Sequence, residues 1–215
     1  MPSNSLLHFE QKLLSDVKRL ISHHKSINTG RGNPQLGFIT RSATFMLCAA
    51  WEQYIELVLG ECAVKMTETY DSLDKFPKSV RTYFITYIRE IKDESLALKL
   101  CGNGWKDVYR KKLEEELGGF NTPKSENINK IYERYLGLSD LSASWSCGST
   151  EIDRFVRARG DIAHKGSGAK YVRFNDLLQY QDIVKKSAIE TDNKLVDYFQ
   201  EILPGSKSIW NRRKV

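Results

Sequence analysis

Hydrophobic residues recur along most of this chain at the three- and four-residue spacing that places them on one face of a helix. The longest such pattern predicts a helix from Phe38 to Thr69. Its inward-facing residues are expected to be Ile39, Met46, Leu47, Ala50, Tyr54, Leu57 and Val58. An earlier helix is predicted between Leu6 and Ile21, and the segment 28–34, NTGRGNP, interrupts the pattern after it.

Glycine and proline mark the ends of the later helices. These helices are predicted from just after Pro77, over 105–117, from about 125 to Gly137, from about Thr150, and over 175–203. Thr150 and Asp153 match a capping box at the start of one of them. No segment alternates in the manner of a β-strand. We therefore expect an all-α fold, a helical bundle with long antiparallel helices.

Length and composition indicate one globular domain. The 215 residues are predicted to form a helical domain over 1–203 and a basic tail over 204–215, and we expect the end of that tail, Ile209 to Val215, to be disordered. No run of about eighteen apolar residues is present to span a membrane, and the amino terminus lacks a signal-peptide pattern, so a cytoplasmic protein is expected. The net charge of +6 is compatible with a nucleic-acid partner.

The four cysteines do not form a metal-binding pattern. They lie at Cys48, Cys62, Cys101 and Cys147, and no two of them have CxxC spacing. Cys48 and Cys62 fall within apolar helical runs, so we expect them to be reduced and to pack as small hydrophobic residues. No metal site and no cofactor are predicted.

The stretch 157–166, RARGDIAHKG, carries the candidate chemistry. On a helix at 100° per residue, the apolar stripe of this segment is formed by Ile152, Phe155, Val156, Ile162 and Ala163. Arg159 falls near the centre of that stripe, whereas Asp161 and His164 lie on another side. A guanidinium among core residues needs a carboxylate, a phosphate or a cleft to offset the cost of its burial.

Two structural explanations compete with a reaction site. Arg159 can form an ion pair with a carboxylate such as Glu52 on the preceding long helix. His164 can stabilise the carboxyl end of its own helix, where a cation is favourable. Charged helix ends are common, so spacing alone favours these explanations.

A resemblance to a known family changes that weighting. The segment RGDIAH, Arg159 to His164, resembles the R-x4-6-H signature of the HEPN superfamily, which occurs there as RN-x-IAH. LCAAWEQYIELVL, PKSENINKIYERYLGLSDL, IDRFVRARGDIAHKG and FNDLLQYQDIVKKSA are similar, in that order, to segments of the RiboL-PSP-HEPN branch. The likeness covers about Leu36 to Leu203. One departure is Gly160, where the family usually has Asn, Asp or His.

The resemblance implies metal-independent cleavage of RNA by a homodimer whose two motifs face a shared cleft. His164 would transfer protons and Arg159 would hold the scissile phosphate. Arg159 and His164 differ by about 140° around one regular helix, so they converge only if the helix breaks at Gly160, ends before His164, or is completed by a second chain. We favour two chains. Asp161 would support His164, or pair with Arg157 or Lys165.

Other cations near the motif are candidates for an RNA-binding rim: Arg154, Arg157, Lys165, Lys170 and Arg173. A solvated charged face explains each of them equally well. The first functional hypothesis is thus a HEPN endoribonuclease acting as a toxin or antiphage effector, with an antitoxin or regulatory protein as a possible partner. The alternatives are a catalytically inactive HEPN module that binds RNA or a protein, and a helical scaffold in which Arg159 is purely structural.

Overall fold

The structure, a computed structural model, describes residues 1–28, 33–92 and 95–215, and every regular element in those residues is helical. The prediction of an all-α bundle is confirmed; residues 29–32 of the predicted interruption lie outside the described residues. The main helices are α1 (Asn4–His8), α2 (Ser15–Ile27), α3 (Gly37–Thr69), α4 (Lys78–Glu90), α5 (Leu96–Lys99), α6 (Gly104–Leu117), α7 (Ser125–Leu136), α8 (Ser149–Lys165) and α9 (Phe174–Ile202). None of the described helices combines the length and the apolar character needed to cross a membrane.

Helix α3 is the centre of the bundle. Its 33 residues pack against α2, α8 and α9, and Cys48 and Cys62 are fully buried in the shared core. Thr40 at its start donates to the Val172 carbonyl at 2.8 Å, and Tyr54 further along donates to the Ala188 carbonyl at 2.7 Å. The two longest helices, α3 and α9, therefore run in the same direction. The antiparallel neighbours of α3 are α2 and α8.

Part of α3 stays uncovered. Met46 and Leu57, which the pattern places inward, are 40% and 39% exposed, so these two assignments were wrong. Phe45, which directly precedes Met46, and Phe38, about two turns before it, are also exposed on this side. The helix is apolar around much of its circumference, and periodicity alone does not identify which apolar face the bundle covers.

The first predicted helix is interrupted after the five residues of α1. A π-helical turn over Phe9–Leu13 separates α1 from α2, and the Leu14 amide donates to the Phe9 carbonyl at 3.1 Å. The extra residue in this turn lets the Phe9 ring pack 5.1 Å from the ring of Tyr54 on α3. The hydrophobic repeat continues through the turn, so it contains no sign of the interruption.

Helix α7 ends where the sequence predicts. Gly137 has a φ of +87°, the left-handed conformation that glycine adopts without strain. A Cβ atom at this position would lie 2.5 Å from Pro77 Cβ and 2.8 Å from the Tyr198 hydroxyl. The end of α7 therefore packs closely against both Pro77 and Tyr198 of α9.

The start of α8 differs from the prediction. The helix begins at Ser149 after Gly148, and no side chain caps it, so the predicted capping box at Thr150 is wrong. Asp153 instead accepts bonds from the amide and hydroxyl of Ser125, at 2.8 and 3.0 Å, and thereby joins α8 to the start of α7. The Asp153 carboxylate, which the local pattern predicts to cap α8, is therefore used in a tertiary contact.

The basic tail packs on the domain instead of being disordered. Trp210 is only 6% exposed, and its ring N–H donates to the Asp192 carbonyl at 3.1 Å. The Asn211 amide donates to the Met1 carbonyl at 2.9 Å, and the Asp192 carboxylate accepts the amide and hydroxyl of Ser3. The two ends of the described chain thus meet at the middle of α9, held by one buried tryptophan and one buried aspartate.

Candidate functional site

Helix α8 lies between α3 and α9 and carries the whole motif without a break. Ile152, Phe155 and Val156 are buried in the core, and Ile162 is half-buried against it. Ala163, which the pattern places in the same stripe, is exposed because the last turn of α8 extends beyond the packed region. The helix continues through Gly160 and ends at Gly166, which has a φ of +53°.

Arg159 points towards α3, as its place in the apolar stripe requires. Its Nη2 atom lies 4.0 Å from Glu52 Oε2, and the two side chains are 23% and 20% exposed. The guanidinium carbon is 5.2 Å from the centre of the Phe45 ring, within the range of a cation–π contact. The structure therefore places Glu52, the structural partner considered from the sequence, beside Arg159.

This ion pair leaves hydrogen-bonding capacity unused. Arg159 Nε and Glu52 Oε2 are both buried, and neither has a hydrogen-bond partner among the described residues. A guanidinium presents five N–H donors, and the long 4.0 Å approach to a single carboxylate oxygen satisfies few of them. Buried groups without partners are costly, and the unused donors of the guanidinium, unlike the Glu52 oxygen, are suited to a further acceptor such as a phosphate.

A line of ionisable groups follows the same side of α3. Burial raises the pKa of Cys48 to about 12. Burial also raises the pKa of Glu52, and the charge of Arg159 partly offsets the effect. Burial raises the pKa of Glu56 to about 7, and the neighbouring Glu52 carboxylate acts in the same direction. The Glu52 carboxylate beside Arg159 and the Glu56 carboxyl beside Glu52 are therefore both protonated more easily than ordinary glutamates.

His164 does not share the surroundings of Arg159. It is exposed in the last turn of α8, one residue before the helix ends. Because α8 is continuous from Ser149 to Lys165, two of the three ways in which Arg159 and His164 can converge do not occur in this chain. The pair stays about 140° apart around the helix.

The other predicted residues fall into two groups. Arg154, Arg157, Asp161 and Lys170 line one cavity of about 370 Å³ between α8 and the start of α9. Lys165 lies outside the wall of this cavity. Its Nζ atom pairs with the Asp161 carboxylate at 3.2 Å, so Asp161 forms one of the two salt bridges considered for it instead of supporting His164. Arg173 also lies outside; its backbone N–H donates to Asp176 at the start of α9, at 3.0 Å.

Gly160 occupies open space. A Cβ atom there would meet no heavy atom within 4 Å, so the polar residue usual in the family fits without displacing anything. Asp161 does not replace that residue beside His164 in this structure, because its carboxylate pairs with Lys165.

Sequence reasoning missed several residues around the motif. Phe45 lies beside Arg159 and Glu56 lies beside its partner Glu52, while Tyr171 and Tyr180 line the cavity on the other side of α8. The available signal was that Glu52 and Glu56, four residues apart, are the only charged residues of the long helix between Arg41 and Glu61. In the described part of the chain, no three His, Cys, Asp or Glu side chains are grouped to hold a metal ion.

Replacing Glu56 should change how stability depends on pH. The folded protein holds the Glu56 proton up to about pH 7, whereas the unfolded chain releases it near the ordinary value of 4.5. The free energy of unfolding should therefore fall between about pH 5 and about pH 8, and Glu56→Gln should reduce that fall. Urea unfolding of both proteins at about pH 5 and at about pH 8 measures this change in unfolding free energy.

The matched control is Glu114→Gln, which removes an exposed carboxyl group of α6. It should leave the pH dependence of unfolding as in the wild type. An equal fall in unfolding free energy for wild type and Glu56→Gln would contradict the environment described for Glu56.

Comparison with known proteins adds the family. The family model described as RiboL-PSP-HEPN matches residues 11–197, a span that includes α2 to α8 and most of α9. No curated protein and no solved structure matches the chain. Residues 11–197 contain the Arg159–His164 motif, its Glu52 partner and the cavity beside it, and over this span the chain belongs to the RiboL-PSP-HEPN family.

Proposed function

We propose that this protein is a metal-independent endoribonuclease whose reaction site is completed by a second copy of the chain. The observation that carries the proposal is the geometry of α8. One unbroken helix presents Arg159 towards α3, where its Nε atom has no hydrogen-bond partner among the described residues, and exposes His164 on another side. A twofold axis near the end of α8 brings the arginine of one chain to the histidine of the other.

The residues support transesterification at a ribose. The 2′-oxygen attacks the adjacent phosphorus, and the bond to the 5′-oxygen breaks, leaving a cyclic phosphate and a free 5′-hydroxyl. One His164 accepts the 2′-hydroxyl proton, and the histidine of the second copy supplies a proton to the departing oxygen. Arg159 stabilises the charge that grows on the phosphate oxygens. The requirement for a 2′-hydroxyl restricts the substrate to RNA.

The uncovered face of α3 supports a second copy as the partner. Phe38, Phe45 and Met46 are 58%, 38% and 40% exposed, and they lie on one side of the helix at spacings of seven and eight residues. Together with Ile162 and Gly166 of α8 they border a depression of about 330 Å³. Phe45 also contacts Arg159, so this apolar face is continuous with the motif. Exposed apolar patches of this kind mark association surfaces.

The cellular part of the proposal follows from the family alone. A metal-independent ribonuclease of this type acts as a growth-arresting toxin or an antiphage effector, restrained by an antitoxin or another regulatory protein in the cytoplasm. The expected signature is growth arrest on expression of the wild type that the His164→Ala variant does not cause.

One observation favours a second candidate, a catalytically inactive module that binds RNA or a protein. Arg159 lies beside Glu52, and Gly160 supplies no side chain where the family usually has a polar one. Both features are expected if the arginine has a structural task and the fold is kept for binding.

Cleavage should need both motif residues and no metal. With a short single-stranded RNA in excess EDTA, His164→Ala and Arg159→Ala should each lower the rate by about 100-fold or more, since each removes a group used in the transition state. Arg159→Lys should not restore the rate, because lysine cannot hold a phosphate bidentately. Gel analysis should show cyclic phosphate ends, and an RNA with a 2′-deoxy sugar at the cut should stay intact.

Lys111→Ala, which removes an exposed cation of α6 far along the chain from the motif, is the matched control and should cut normally. Urea unfolding of each variant separates lost chemistry from lost folding. Binding without cleavage, by the wild type and by Gly160→Asn alike, would favour the inactive module. Unfolding of Arg159→Ala together with active Arg159→Lys would favour a structural arginine.

Self-association should depend on the exposed face of α3. The double variant Phe38→Ser with Met46→Ser should shift the protein from dimer to monomer in light scattering and lower RNA cleavage in parallel. Ile85→Ser on α4, where the side chain is 50% exposed, is the matched control and should stay dimeric. A wild type that remains monomeric at cutting concentrations would refute the composite site.

A further inference from the structure

The cavity between α8 and α9 has the dimensions of a ligand site. It is lined by three cations and two tyrosines, among other residues, and its volume of about 370 Å³ lies within the usual range of about 300–1,000 Å³ for small-molecule sites. These lining residues are Arg154, Arg157, Lys170, Tyr171 and Tyr180. We call this cavity the α8–α9 pocket.

The charges in its wall are arranged to attract an anion. The two carboxylates that line it already have partners: Asp161 pairs with Lys165 at 3.2 Å, and Asp176 accepts the Arg173 backbone N–H at 3.0 Å. Arg154 is likewise paired, with Glu151 at 2.5 Å. In the part of the chain that the structure describes, Arg157 and Lys170 have no carboxylate within ion-pair distance. Two cations are thus available to a phosphate.

The two tyrosines supply flat surfaces beside those cations. Tyr180 is half-buried, and its ring packs 5.3 Å from the ring of Phe155 in the core. Tyr171 is 45% exposed, and it is positioned by Gly37, where a Cβ atom would lie 2.9 Å from Tyr171 Cε2. The ring of Tyr171 therefore rests against Gly37 and leaves much of its surface open, and stacking of a base requires such an open surface.

The combination of groups selects among ligands. A free phosphate needs only the cations, and an acidic peptide does not need an exposed ring. A ribonucleotide uses both, with its phosphate on Arg157 and Lys170 and its base on a tyrosine. Gln179 and Asp176 in the same wall offer hydrogen-bonding groups to the edge of a base.

The position of the pocket relates it to the motif. Arg157 and His164 are seven residues apart, so they differ by only about 20° around α8 and by about 10 Å along it. Asp161 in the pocket wall lies about 160° from Arg159 around the helix. The pocket is thus separate from the Arg159–Glu52 pair, and it opens on the side of α8 that carries His164.

We infer that the α8–α9 pocket binds one nucleotide of single-stranded RNA that flanks the cleaved linkage, with the base on Tyr171 and its phosphate on Arg157 and Lys170. The link to cleavage rests on the proposed function, whereas nucleotide binding does not. Occupation of the pocket fixes which linkage reaches His164, so this site sets the sequence preference of cleavage.

The test measures binding separately from cleavage. Anisotropy of a fluorescent single-stranded RNA is recorded with the full chain carrying His164→Ala, so that the probe stays intact. On that background, Tyr171→Leu should weaken binding by about fivefold or more, while Tyr171→Phe should stay within about twofold because its ring still stacks. Arg157→Gln with Lys170→Gln should lower the slope of log affinity against log salt by about 0.7 for each phosphate that the variant no longer neutralises.

Lys111→Gln with Lys207→Gln, which removes two exposed cations outside the pocket, is the charge-matched control and should keep the wild-type affinity apart from a small general effect. Uridine or adenosine monophosphate should compete with the probe, and inorganic phosphate at the same concentration should not. Unchanged binding in Tyr171→Leu, or equal competition by inorganic phosphate, would overturn the nucleotide site.

Failure of the two proposals can be told apart. If the His164→Ala protein loses RNA binding through the pocket variants but the wild type cuts no RNA, the nucleotide site stands and the nuclease proposal fails. If the wild type cuts RNA and Tyr171→Leu neither binds more weakly nor changes the sequence preference of cleavage, the pocket is refuted and the nuclease stands.

Discussion

The burial of Arg159 against α3 determines the layout of the motif. An arginine in the apolar stripe of α8 has to point into the bundle, where Glu52 lies 4.0 Å away and the Phe45 ring covers the guanidinium. Because α8 is one regular helix, that choice also fixes the side on which His164 emerges. A single chain cannot bring the two groups together without breaking the helix, and the helix is unbroken.

Much of the fold was predictable because the spacing of apolar residues indicates the inward face of a helix, and glycine and proline mark its ends. The predicted bounds of α3 and α9 differ from the structure by one residue at each differing end, and Gly137 ends α7 as expected. The motif segment was also placed on a helix, and the structure packs that helix against α3. In addition, Glu52 was named as a possible partner of Arg159, and the structure places it there.

The errors share a physical cause, which is that tertiary contacts override local patterns. Asp153 binds Ser125 on α7 instead of capping α8, and burial of Trp210 orders a tail whose charges suggested disorder. The π-turn after α1 and the exposure of Met46 depend on which surfaces meet, and a repeat of apolar residues does not encode that. The sequence grouped Arg157 with Lys170, but placing Lys165 and Arg173 outside that group required the path of the chain between α8 and α9.

Mixing two inactive variants tests most directly whether the site is shared between chains. Arg159→Ala and His164→Ala chains carrying different tags are produced together, and mixed dimers are purified through both tags. The mixed dimer keeps one Arg159 and one His164, and these two residues lie on different chains. If both chains contribute to one shared site, these dimers should cut RNA in EDTA although neither variant does so alone. Their rate should be below that of the wild type, because only one histidine remains. Mixed dimers that form and remain as inactive as the separate variants would contradict the account.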